Sequence, residues 1–136
     1  MMDIVTTARH AGAFSWAEGQ LFTTLGTWLH KLSDPMIIEY LGERCTRHGE
    51  RAEAWAARVA SIPIIDTART IAPGAPINSD AFTSLASADG DDVRHRDWYD
   101  AVAAQLHDIY AQHRADIDPL VDGPTARLLD RILADH

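Results

Sequence analysis

The sequence predicts an all-α protein: a four-helix bundle with a long crossover between the second and third helices and a short fourth helix. Two observations carry that reading. Apolar residues recur at three-and-four spacing through two long stretches, and the turn-forming residues cluster between the second and third helices instead of being spread along the chain. No apolar/polar alternation of the kind that marks strands rises above noise, and no internal repeat is evident.

The first helix is expected over residues 4–32, with Ile4, Thr7, Ala11, Phe14, Glu18, Leu21, Leu25, Trp28 and Leu32 on its inner seam. It should stop at Ser33-Asp34-Pro35, because the residue before proline resists the helical region. Asp34 is a natural N-cap and Pro35 suits the first turn of the next helix. That second helix is expected over residues 35–61, ending before Pro63, with a seam of Ile38, Leu41, Cys45, His48, Ala52, Trp55, Val59 and Ile62. The short link makes the two helices antiparallel neighbours. Residues 62–96 carry Pro63, Pro73, Gly74, Pro76, Asn78, Gly90 and several Asp and Ser, so this crossover should hold at most one short helix, near residues 81–87. Periodicity resumes with Tyr99, Val102, Leu106, Ile109 and His113 in a third helix that stops near Asp118-Pro119. A short fourth helix follows Gly123-Pro124 and should bury Leu128, Leu129, Ile132 and Leu133.

Composition bounds the function. At 136 residues the chain is one domain, residues 1–136, with 46% hydrophobic and 24% charged residues, as in ordinary globular proteins. The formal net charge of -8 argues against a nucleic-acid partner, whose phosphates need a basic footprint. Cys45 is the single cysteine, so no internal disulfide can form. The amino terminus does not read as a signal peptide and no apolar run is long enough to span a bilayer, so no membrane role is expected and a cytoplasmic location is.

Three seam positions break the apolar rule. Glu18 lies at the centre of the first seam, and Cys45 and His48 lie in the second. A carboxylate facing a Cys-x-x-His pair is the outline of a metal site, and thiolate plus imidazole suits a single Zn or Fe ion better than an oxygen-rich pair of irons. Packing explains the same residues without metal: cysteine serves as a small hydrophobe, and Glu18 then accepts a hydrogen bond from His48. His113, on the third seam, is a weaker fourth candidate ligand. The other histidines show no ligand spacing, and Glu43, Arg47, Glu50, Arg51 and Glu53 read as a solvated charged face. Trp16, Trp28, Trp55, Trp98, Phe14, Phe22, Tyr40 and Tyr99 read as core and interface packing.

Gly12, Gly19 and Gly26 recur every seven residues on one stripe of the first helix. Together they cost about 3 kcal/mol of helix propensity relative to alanine. A close second backbone from this chain or from a second copy, or a bound ligand, would offset that cost; irregular helix geometry without a role is the other reading.

Two helical hairpins joined by one long connection is the ferritin-like topology. The stretch FSWAEGQLFTTLGTWLHKLSDPMIIEYLGERCTRHGERAEAWAARVASIP, with DPLVDGPTARLLDRILADH, resembles bacterial ferritin-like proteins of the group that includes the diiron tRNA hydroxylases. The resemblance covers all four helices but not the crossover. It implies a diiron site with a glutamate on helix one, Glu-x-x-His on helix two, a glutamate on helix three and a second Glu-x-x-His on helix four. Glu18 matches the first position and His48 the histidine of the second, but Cys45 replaces the glutamate. The inward positions Val102, Leu106 and Ile109 supply no acid on helix three, and the last motif would fall at or beyond Asp135-His136.

The expectation is therefore a degenerate ferritin-like bundle acting as a non-catalytic binding or accessory module. It would need no cofactor and would take a small-molecule ligand or a protein partner, self-associating as a dimer through the Gly12/Gly19/Gly26 face. The alternative is a small metal-dependent oxidase or hydroxylase with a mononuclear or dimer-shared site on Glu18, Cys45 and His48. A third reading makes the chain one subunit of a larger enzyme.

Overall fold

The computed structural model describes residues 3–63 and 65–135. Six helices follow one another, and no strand occurs among the described residues: α1 Ile4–Trp28, α2 Pro35–Ala60, α3 Thr67–Thr70, α4 Ser79–Ala86, α5 Asp92–Asp116 and α6 Gly123–Ala134. Each helix opens on an Asp or Asn whose side chain accepts a backbone N–H of the first turn: Asp3, Asp34, Asp66, Asn78, Asp91 and Asp122. Part of the acidic excess is thus helix capping, which fixes where helices begin and needs no cationic partner.

The expected boundaries shift at three places. α1 ends at Trp28, and the backbone closes through a turn over His30 and Lys31 before Asp34. α5 begins at Asp92, ahead of the first apolar seam residue, because Asp91 caps it and His95 serves as its first buried side chain. The crossover holds α3 as well as α4. α3 is a single turn capped by Asp66, too short to leave a periodic signature.

α1 and α2 form the closest helix pair, and glycines explain how. The Cβ that an alanine would add at Gly26 would lie 3.9 Å from the Cys45 Sγ, and one at Gly49 would press into the Phe22 ring at 2.8 Å. Ser15 adds a cross-helix bond from its Oγ to the Ala52 carbonyl at 2.9 Å. At Gly12 the close second backbone belongs to the chain itself: an added Cβ would collide with the Thr70 carbonyl at the end of α3. Gly19 has no such neighbour within 4 Å.

α5 approaches α1 through large side chains. Phe14 packs edge-on against Tyr110 and His113, and Trp28 packs edge-on against His95. Polar ties fix the remaining helices. The Asp92 carboxylate accepts the backbone N–H groups of Ser33 and Asp34 at 2.9 and 2.6 Å, which pins the α1–α2 turn to the start of α5 and holds that carboxyl below the usual range. Arg58 on α2 reaches Thr125 and Asp122 at the start of α6, and Arg114 on α5 pairs with Asp130 on α6. The apolar core runs continuously through this frame, from Phe14, Leu21, Leu25 and Trp28 to Leu41, Trp55, Leu106 and Leu129.

Candidate functional site

Glu18 is completely buried at the centre of α1, where an ionised carboxylate is costly unless hydrogen bonds replace its water. Two partners do so. Its Oε1 accepts the Tyr110 hydroxyl at 2.8 Å, and its Oε2 lies 2.5 Å from His48 Nδ1. The chain of contacts continues at both ends. Trp55 Nε1–H donates to the Tyr110 oxygen at 3.1 Å, and His48 Nε2 lies 2.6 Å from the Tyr99 hydroxyl.

Proton bookkeeping gives this network one consistent direction. Burial, and then the nearby Glu18 charge, push the Tyr110 phenol well above its ordinary range; burial does the same to Tyr99. Both phenols therefore keep their protons at neutral pH and donate. With Tyr99 donating to His48 Nε2, the imidazole carries its proton on Nδ1 and donates to Glu18. Every polar atom from Trp55 to Tyr99 is satisfied, which makes the network a rigid unit and not a cluster of stranded charges.

The structure thus brings Glu18 and His48 together, as two of the sequence-derived candidates, and turns the third away. The Cys45 thiol donates to the Phe22 carbonyl at 3.3 Å, and burial pushes its pKa up, away from thiolate. His113 is buried on α5 but faces His10 and Phe14, and desolvation, helped by His10, pulls its pKa down to about 4. Among the described residues no three His, Cys, Asp or Glu side chains converge as a metal set. The residues present do not fit the metal cradle that the ferritin-like resemblance implies. Both His48 nitrogens and both Glu18 oxygens already hold protein partners, and a metal would have to break the His48–Glu18 contact or displace Tyr99 or Tyr110. His136, at the end of the fourth expected motif, lies outside the described residues.

Three residues of this network are not among the site candidates that the sequence offers. By sequence Trp55 and Tyr99 read as packing, and the expected seam of α5 runs through Ile109, next to Tyr110. Ile109 is half-buried and Tyr110 is buried, so the seam of α5 keeps Tyr99, Val102, Leu106 and His113 as expected but passes through Tyr110 instead of Ile109.

The network ends at a cavity of about 200 Å³ between α2, α5 and α6. His48, Tyr99 and Tyr110, all buried, form its inner wall. Arg44, Arg47 and Arg51 line it from α2, and Ala103, Leu106, Ile132 and Leu133 supply apolar surface from α5 and α6. The charged face expected to be fully solvated therefore turns two of its members, Arg47 and Arg51, toward a cavity. Asp100 also lines it, and its carboxylate takes the Tyr40 hydroxyl at 2.5 Å. No protein-family model, no curated protein and no solved structure matches the chain. No helix among the described residues is long and apolar enough to cross a membrane.

Proposed function

We propose that this chain is a ferritin-like helical bundle whose metal centre has been replaced by a protein hydrogen-bond network, and that it works as a small-molecule binding module. Support for the fold assignment is the order of elements: a hairpin of α1 and α2, a connection holding α3 and α4, then a second hairpin of α5 and α6. Support for the replacement is chemical. Where the resemblance asks for an acid on helix three, α5 sends in the phenols of Tyr99 and Tyr110, which satisfy Glu18 and His48 without a cation.

The observation that carries the binding function is the position of that network at the inner wall of a cavity. Binding sites are concave, mostly apolar and furnished with a few polar groups held in fixed orientation. Here Tyr99 and His48 are immobilised from behind by Glu18, while alanine and aliphatic side chains add apolar surface from α5 and α6 and arginines line the cavity from α2. An immobilised polar wall loses little entropy when a ligand docks on it.

Ala103 lines the cavity from α5, so Ala103→Trp should fill it while leaving the network intact. Thermal denaturation against a panel of small metabolites should show compounds that raise the wild-type Tm and leave the Trp variant unmoved. Equal responses of the two proteins across the panel would refute a ligand site here.

A further inference from the structure

The cavity is charged in a way that its size does not require. Arg44 and Arg51 both line it, and among the described residues neither has a carboxylate partner. Arg44 lies over the ring of its own neighbour Tyr40, 3.6 Å from the centroid, and Arg51 donates to the backbone carbonyl of Asp135. Arg47 differs, since Glu43 neutralises it at 2.7 Å. In a chain of net charge -8, two guanidinium groups without a paired acid are a local reversal of sign, which the one carboxylate on the cavity, Asp100, held by the Tyr40 hydroxyl, does not cancel. Planar guanidinium forks match carboxylates in particular.

The two arginines are seven residues apart, two helical turns or about 10 Å along α2. A ligand with one acid group engages one of them; a ligand with an acid at each end engages both. The volume of about 200 Å³ and the spacing of about 10 Å between the arginines both suit a molecule with a short carbon spine. Ala103, Leu106 and Ile132 offer that spine an apolar wall, and Tyr99 offers a polar group midway.

We infer that the cavity binds a short dicarboxylate of four or five carbons, clasped at its two ends by Arg44 and Arg51. This inference rests on the cavity being a ligand site, as proposed above.

Isothermal titration at low salt tests it with succinate and glutarate, against butyrate, succinamide and inorganic phosphate. The dicarboxylates should bind 1:1 and at least tenfold tighter than butyrate or succinamide. Arg44→Gln and Arg51→Gln should each weaken succinate tenfold or more, and Arg127→Gln, at an exposed position of α6, should leave it unchanged. Arg44→Lys and Arg51→Lys keep the charge and guard against misfolding of the Gln variants; each should retain binding weakened several-fold. Succinamide or butyrate binding within threefold of succinate, abolished by Ala103→Trp, overturns the dicarboxylate and leaves the binding site standing. Phosphate binding as tightly as succinate overturns it too. Absence of saturable binding by either dicarboxylate overturns it as well, and a metabolite panel inert on both wild type and Ala103→Trp removes the binding function with it.

Discussion

His48 Nε2 lies 2.6 Å from the Tyr99 hydroxyl, while its other nitrogen faces the fully buried Glu18 at 2.5 Å. The imidazole is thereby held between a donor and an acceptor, and it forms part of a cavity wall. Most of what the molecule is expected to do follows from that arrangement.

Removing one member of the network should cost more than an ordinary hydrogen bond. Glu18→Ala strands two donors in the core, those of His48 and Tyr110, and at about 1–3 kcal/mol each a loss of about 2–6 kcal/mol is expected in urea denaturation. Tyr110→Phe keeps the ring packing but leaves Glu18 and the Trp55 N–H each short of one partner, for a loss of about 1–3 kcal/mol.

The glycines of α1 should respond in opposite directions. Gly12→Ala drives a methyl group into the Thr70 backbone, so strain of about 1–3 kcal/mol should exceed the gain in helix propensity. Gly19→Ala meets nothing within 4 Å and should gain up to about 1 kcal/mol. Thermal denaturation of the two variants side by side would show the Tm falling in the first and rising in the second.

Stability should fall in mild acid because of His113. Its folded-state pKa of about 4 lies below the ordinary imidazole value of 6.5, so the unfolded chain takes up this proton first as the pH drops. The contribution is fully present above about pH 6.5 and is lost as the pH falls toward 4, by up to about 3 kcal/mol. His113→Phe, packed against Phe14 and His10, should flatten the urea-stability curve in that window.

Zn(II) or Fe(II) added at micromolar concentration should leave the Tm of the wild type unchanged, because His48 and Glu18 are fully engaged. A metal-dependent rise in Tm that disappears in His48→Ala would show instead that His48 exchanges Tyr99 for the ion.

Much of the all-helical architecture was legible because helix caps and seam periodicity are local. Asp34 before Pro35 and the run of prolines and glycines after Ile62 mark boundaries within a few residues of sequence. The Glu18–His48 pair was legible too, as polar residues on otherwise apolar seams. The phenols were not: a tyrosine on a seam packs like phenylalanine, and only the partner in space shows that its hydroxyl is used. Tyr110 was further hidden because three- and four-residue steps from Leu106 reach either Ile109 or Tyr110, and sequence alone does not choose. Arg44 and Arg51 were hidden for the opposite reason, since a charged helix face looks the same whether it meets water or a cavity.

The binding function is tested most directly by titrating ¹⁵N-labelled protein with succinate and mapping the shift changes, with butyrate as the control. The account predicts saturable changes confined to the wall formed by Arg44, His48, Arg51, Tyr99 and Ala103, with the His48 ring nitrogens among the most displaced. Changes scattered over the surface, or centred on another face of the bundle, would contradict it.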